Sequence, residues 1–322
     1  MKHNLLGIDI GGTKCAVTFG IESDGAVEIV DKARFDTVQV NETIARLLDE
    51  TSALMTKNSL DAANTTAIGI SCGGPLDSRK GVIMSPPNLP GWDNIPIVEH
   101  FEKRFGVKTA VQNDANACAL AEWKFGAARG YENAVFLTFG TGMGAGLILN
   151  GQLYAGTNDN AGEVGHIRLE QTGPVGYGKA GSFEGFCSGG GIAQLARTRV
   201  TEKLQMGETV SFCKSFDELN SLTAKTVADA AKAGDALAKD IYATCANYLG
   251  RALSTLIDVL NPEVIVLGSI YCRAQELIEP AMTAVIEREA LWHARRVCRI
   301  VPAELGESIG DYAALSVAAN AV

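Results

Sequence analysis

The sequence predicts an α/β protein of two related halves, and three observations carry that expectation. Apolar stretches of strand length alternate with longer stretches of helical periodicity along the chain. The order strand, glycine turn, strand occurs in "LLGIDIGGTKCAVTFG" at residues 5–20 and returns about 130 residues later in "AVFLTFGTGMGAGLILNGQLY". At 322 residues the chain is also long enough for two domains, each with a core of its own.

Each element has its own signal. In the first repeat Cys15, Val17 and Phe19 alternate with smaller or polar residues, which marks the second strand of a hairpin turned at Gly11-Gly12. Residues 41–57 place Ile44, Leu47, Leu48, Leu54 and Met55 at helical spacing. "TTAIGISCGGPLD" returns to strand and ends on glycines. "KTAVQNDANACALAEWKFG" reads as a strand leading into a helix, with Asn113 and Asp114 as capping candidates. After the second hairpin comes a long helical region over about 224–260, where Ile241, Cys245, Leu249, Leu253, Leu256, Ile257 and Leu260 form an apolar stripe. "PEVIVLGS" follows as a buried strand, and no low-complexity linker separates the halves.

Composition narrows the partners. A net charge of −9 and a pI near 5.1 leave no excess of Lys and Arg to neutralise a nucleic acid or an anionic membrane, so a small molecule is expected. The eight cysteines are never closer than 26 residues, which excludes CxxC pairs and a small disulfide framework; they are expected to be reduced core thiols. Asp9 and the glycines break the N-terminal apolar stretch before it reaches signal-peptide length, and a cytoplasmic protein is expected.

Chemistry concentrates in the turns. "DIGGTK" puts a carboxylate, two glycines, a hydroxyl and an ammonium together: backbone amides at Gly11 and Gly12 can approach an anion, Thr13 and Lys14 add donors, and Asp9 can hold a cation or its water shell. Gly140, Thr141 and Gly142 in "FGTGMGAG" can cradle a second part of the same phosphate chain. A dinucleotide fingerprint would need a helix to open here, whereas "LILNGQLY" continues as strand and turn. "TGPVGYGKAGSFE" imitates a P-loop, but Ala180 stands where a hydroxyl must hold Mg²⁺ and no helix follows the lysine. In "QNDANA", Asp114 stands where a strand gives way to a helix, so it can accept a proton from an attacking hydroxyl or serve as an N-cap. Asn88, Glu163, His166 and Glu184 supply the carboxylates, amide and imidazole that a sugar's hydroxyls require, although singly each could be an ordinary turn residue.

Taken together, "DIGGTK", "PPNLPGW", "QNDANA", "FGTGMGAG" and "EVGH" resemble the ROK family of sugar kinases and sugar-responsive repressors, specifically over residues 5 to about 192 and more weakly through "NPEVIVLGS" and "LGESIGDYAAL". The resemblance implies an actin-like, hexokinase-like ATPase fold of ribonuclease H-like duplicated halves with an interdomain cleft. It implies an N-terminal α/β domain over 1–115, a C-terminal domain with dimerisation helices over 116–304, and a last helix at about 305–322 packing back on the first. It further implies Asp114 as catalytic base, Asn88, Asn113, Glu163, His166 and Glu184 as hexose contacts, and Gly11, Gly12, Thr13, Gly140, Thr141, Gly142 and Gly268 as ATP contacts. The implied activity is transfer of phosphate from ATP, with Mg²⁺, to a hexose primary hydroxyl in a homodimer. Glucose is the first expectation, ahead of N-acetylglucosamine, N-acetylmannosamine and mannose.

Two departures qualify the likeness. The family's CxCGxxGCxE zinc loop here reads Val175, Tyr177 and Ser182 at its cysteine positions, so no zinc is expected, and without a metal the loop is expected to be mobile when empty. Ser269 also stands where a second glycine is common near the adenosine. The repressor branch carries a DNA-reading head, which is not expected here because the chain reaches its first phosphate hairpin by residue 5. A sugar-binding regulator without catalysis and an actin-like structural ATPase remain as competing readings.

Overall fold

The structure, a computed structural model, describes residues 2–322. Along the chain run β1 (Lys2–Ile10), β2 (Lys14–Ser23), β3 (Ala26–Asp36), α1 (Val40–Lys57), β4 (Ala67–Cys72), a small hairpin of β5 (Leu76–Asp77) and β6 (Val82–Ile83), α2 (Ile97–Phe105), β7 (Thr109–Asn113) and α3 (Asp114–Phe125). They are followed by β8 (Ala134–Leu137), β9 (Ala145–Leu149), β10 (Gln152–Leu153), a hairpin of β11 (Val175–Gly176) and β12 (Lys179–Ala180), α4 (Phe183–Phe186), α5 (Gly189–Gln205), α6 (Ala224–Lys232) and α7 (Ala236–Leu260). The chain closes with β13 (Val264–Leu267), α8 (Ile270–Glu289), α9 (Trp292–Arg295), β14 (Arg299–Pro302) and α10 (Ile309–Ala321).

Two compact units result. The first takes the chain up to Phe136, Gly146–Gly162 and Glu304–Val322; the second takes Leu137–Ala145 and Glu163–Ala303. This differs from a boundary at residue 115, and a buried carboxylate shows why α3 stays in the first unit. Glu122, on α3, is fully buried, and its oxygens accept from the amides of Ala127, Glu304 and Leu305 at 2.8, 3.2 and 3.1 Å. Three amides satisfy carboxyl oxygens that burial would otherwise leave unpaired, and they fasten α3 to the segment leading into α10.

In the first unit the sheet order is β3-β2-β1-β4-β7, antiparallel on the β2 side and parallel from β1 through β4 to β7. Its core takes Ile8, Val17, Leu47, Ile70, Trp92 and Phe101 on one side, and Leu5, Ala67, Phe125 and Leu315 on the other. Helix α10 lies hard on the strands: a methyl group added at Gly69 would meet Ala314 O and Ala318 N at 2.2 Å, so glycine is what permits the contact. Parallel pairing also decides where chemistry collects. Register sets Asp9 opposite Ser71 and Cys72 opposite Asn113, so the carboxyl ends of β1, β4 and β7 reach one edge together. At such an edge, parallel strands hand their chain to loops free to bind a ligand.

The second five-stranded sheet has the order β10-β9-β8-β13-β14. The helical region expected over 224–260 is two helices, because Gly234 at φ +103° ends the first and Asp235 caps the second, its Oδ1 accepting from Ala238 N at 2.9 Å.

Candidate active site

In the first unit the candidate residues stand on the turns that follow the three parallel strands. The β1–β2 turn is closed by Gly11 N donating to Lys14 O at 3.1 Å and by Thr37 Oγ1 donating to Gly11 O at 2.6 Å, while Gly12, Thr13 and Lys14 face solvent. Asn88 packs against this turn so closely that a methyl group at Gly12 would stand 2.4 Å from Asn88 O. Gly73 and Gly74, read from sequence only as a turn, make room beside β4: methyl groups there would meet the side-chain amides of Asn88 at 3.2 Å and Asn113 at 2.9 Å. One edge therefore brings Asp9, the phosphate-type turn, Asn88, Asn113 and Asp114 together.

Asn113, not Asp114, is the N-cap of α3, its Oδ1 accepting from Ala115 N at 2.9 Å. That leaves Asp114, the first helical residue, available for chemistry. Its Oδ1 also meets Ala115 N at 2.8 Å, and its side chain is reached by water. Protein nevertheless surrounds the carboxylate closely enough that lost hydration raises its pKa above the ordinary aspartate value, opposed only by backbone amides. Asp9 is pushed up to about 7, first by burial and then by repulsion from Asp311 and Asp114, against weaker attraction to Lys32 and Arg34. Lys32 is already committed to Asp311, with Nζ 2.6 Å from Oδ2. A half-buried carboxylate left short of positive charge fits a hydrated cation. Among the described residues no cluster of three or more His, Cys, Asp or Glu could hold a metal alone, so Mg²⁺ here would draw its other ligands from phosphate and water.

In the second unit the residues between β8 and β9 form a compact bend: Thr138 N donates to Gly144 O, Gly144 N to Thr138 Oγ1 and Gly140 N to Gly142 O, each at 3.0 Å. A strand follows, as a phosphate hairpin requires and a dinucleotide fingerprint does not. Gly140 and Thr141 open onto a cavity of about 710 Å³. Its wall also includes Gly189 and Gly190 at the start of α5, Lys225 on α6, Ser269 just before α8 and Arg273 on α8. The volume is that of a small-molecule site. Gly268 does not line it. Buried at the end of β13, Gly268 spends its amide on Leu137 O at 2.9 Å, and Ser269 takes its place on the wall. Ser269 adopts φ +48° and ψ −102°, a conformation rare for a residue with a side chain, and its Oγ accepts from Arg273 Nη2 at 3.0 Å. Arg273 and the α5 glycines were missed in the sequence because only the tertiary fold brings them to the bend.

The polar loop lies in the same unit. Glu163 and His166 flank a short 3-10 turn and both are exposed. Glu184, half-buried on α4, accepts from Met143 N at 3.0 Å through Oε2, which ties it to the glycine bend. The P-loop imitation is a hairpin, β11–β12, with Tyr177 at φ +42° and Gly178 at φ +75° in its turn. Lys179 donates to His166 O at 2.7 Å and so is spent on backbone. The zinc positions do not fit the metal: Val175 is paired through its backbone, Tyr177 is exposed, and buried Ser182 caps α4 by accepting from Gly185 N at 3.1 Å. Cys187 is fully buried and donates to Cys245 O at 3.4 Å. Of the cysteines, Cys272 is exposed, contrary to the expectation that all lie in the core.

The ROK family model matches residues 5–320, nearly the whole chain. The chain belongs to the ROK family. Glucokinase of Thermotoga maritima is 33% identical over 280 residues, covering 86% of this chain and 85% of that protein. The DNA-binding transcriptional dual regulator NagC of Escherichia coli is 32% identical over 250 residues, 77% of this chain and 59% of the regulator. A ROK glucokinase from Streptomyces griseus, solved with glucose and AMPPNP, superimposes with a TM-score of 0.74 at 26% identity, covering 98% of this chain and 99% of that one. The expected actin-like, hexokinase-like fold class of this ROK chain is thereby established.

Proposed function

We propose that this ROK protein is an ATP-dependent hexokinase that phosphorylates the primary hydroxyl of glucose. The observation that carries the reading is Asp114. A carboxylate at the head of α3, with its capping duty taken by Asn113 and its pKa raised by burial, can take a proton from an alcohol. Within the first unit Asn88 and Asn113 beside it supply donors and acceptors for sugar hydroxyls, and within the second unit Glu163, His166 and Glu184 carry groups of the same chemistry. Such a set rejects a sugar that leaves one of them unpaired.

In the second unit the bend at Gly140 and Thr141 offers donors to phosphate and the cavity beside it suits the nucleoside, and in the first unit the turn between β1 and β2 is of the same phosphate-binding type. Asp9 is the residue that would hold Mg²⁺ or its water shell, and the ion, arriving with the nucleotide, would supply positive charge against the phosphates. Zinc has no part in this reading, since valine, tyrosine and serine cannot replace three thiolates. A homodimer is supported by exposed apolar residues, Val259 near the end of α7 and Leu291 and Trp292 at the start of α9, two elements joined where Leu291 N donates to Asp258 Oδ1. A cytoplasmic site of action agrees with cysteines kept as free thiols.

A coupled assay of ADP release over glucose, mannose, N-acetylglucosamine and N-acetylmannosamine tests the activity and selects the sugar. Asp114→Asn should lower kcat by about 10²–10⁴-fold while sugar affinity changes little; unchanged turnover refutes the assignment. The likeness to a transcriptional regulator favours a second reading, a sugar-responsive protein without catalysis. Sugar binding with no ADP release from any member of the panel would select it.

A further inference from the structure

The loop that bears His166 and Glu184 has lost its metal ligands, yet it is fastened at several points. On one side Gln194 of α5 meets Val175 twice: its Nε2 donates to Val175 O at 2.8 Å and its Oε1 accepts from Val175 N at 3.0 Å. A primary amide here does what a neighbouring strand would do, since it pairs with both outward backbone groups of one residue. The support is firm, because Ile192, Ala196 and Val200 bury the other face of α5. On the other side Lys179 donates to His166 O and Arg168 Nη1 to Ala180 O, both at 2.7 Å.

What the pairing controls is read from the next residue. A methyl group at Gly176 would stand 2.6 Å from Gly185 N and 2.7 Å from Glu184 Cβ, so β11 runs directly against the backbone and side chain that carry the Glu184 carboxylate. Displacing Val175 must displace Glu184. We propose that Gln194 is a positioning residue, a metal-free clamp that docks the β11–β12 hairpin on α5 and so sets Glu184 for the sugar before the sugar arrives. The proposal rests on the sugar-kinase reading for what Glu184 does, but not for how the loop is held. It also reverses the expectation that the loop is mobile when empty.

Gln194→Met, which keeps the length and packing of the side chain while removing both hydrogen bonds, is the test. The expected result is a KM for glucose raised about tenfold, with kcat and the KM for ATP within about twofold. Amides of 175–180 should exchange with solvent about tenfold faster than in the unmodified protein. An unchanged glucose KM, or equal rises for glucose and ATP as a general loss of order would cause, overturns the proposal. Should the variant fail to fold, the unmodified chain decides: equal protection of these amides with and without glucose supports the clamp, and protection only with glucose overturns it. If no sugar releases ADP, the kinase reading fails, while the exchange measurement still judges the clamp.

Discussion

Two aspartates of the first unit show how one environment serves catalysis at the expense of stability. Asp114 must be ionised to accept a proton, and burial raises its pKa. The acid limb of kcat/KM should therefore fall at a pH above the ordinary aspartate range, with activity rising as pH rises through it; a flat profile down to pH 4 would contradict this. Asp9 has a sharper consequence, because its pKa is pushed up to about 7 by burial and by neighbouring Asp311 and Asp114. Between about pH 4 and 7 the native state holds a proton that the unfolded chain has released, so Asp9's contribution to stability is full below that window and is lost as pH rises through 7. Asparagine does not titrate. The melting temperature of Asp9→Asn without ligand should gain on the unmodified protein as pH goes from 5 to 8, by on the order of 2 °C or more, while the variant loses activity with Mg·ATP. A gap that stays constant with pH, followed by calorimetry, would show that the carboxylate is ionised throughout.

Among the elements, legibility followed the reach of the signal. Both glycine hairpins and the strand-to-helix step at Asn113 could be read because a few adjacent residues dictate them: alternation, a turn and a cap. Helix α5 opens on three glycines, and α8 carries Pro280 and a non-helical Ala274, so neither has the clean period that would have announced it. The cavity they line with α6 was correspondingly invisible, as was the clamp, whose partners Val175 and Gln194 are joined only by the fold. "EVGH" shows the same limit inside a legible motif. Gly165 looks like a turn residue, but a methyl group there would lie 2.1 Å from Met143 O, so the polar loop and the glycine bend touch backbone to backbone. Gly165→Ala should push both elements apart, destabilise by about 1–3 kcal/mol and raise the KM of sugar and ATP together. Gly178→Ala is the control. It has φ +75° but nothing within 4 Å, so it should cost about 1 kcal/mol through strain and leave both KM values alone. Equal kinetic effects from the two substitutions would mean that backbone strain, not the contact at Gly165, carries the change.

For the molecule as a whole, the outstanding electrostatic problem is that a chain of net charge −9 is asked to bind a polyanion. The charged residues on the wall of the 710 Å³ cavity are Arg197, Lys225, Lys232 and Arg273 against Asp229 alone, a local excess of positive charge in an acidic protein. That excess is partly spent within the second unit: Lys225 pairs with Asp229 at 2.7 Å and Lys232 with Glu276 at 2.9 Å, while Arg197 donates to a backbone carbonyl. These groups are mostly exposed, so dissolved ions screen them, and the Debye length shrinks from about 10 Å at 0.1 M to about 3 Å at 1 M salt. Attraction for nucleotide phosphate should weaken over that range, whereas glucose, which carries no charge, is held by hydrogen bonds that salt does not screen. Raising KCl from 0.05 to 0.5 M should therefore increase the KM for ATP severalfold and leave the KM for glucose within about twofold. Arg273→Met should flatten the ATP response. Parallel rises in both constants would instead point to salt acting on the fold itself, and a flat ATP response in the unmodified protein would mean that backbone amides of the glycine turns, rather than this ring of cations, carry the phosphate.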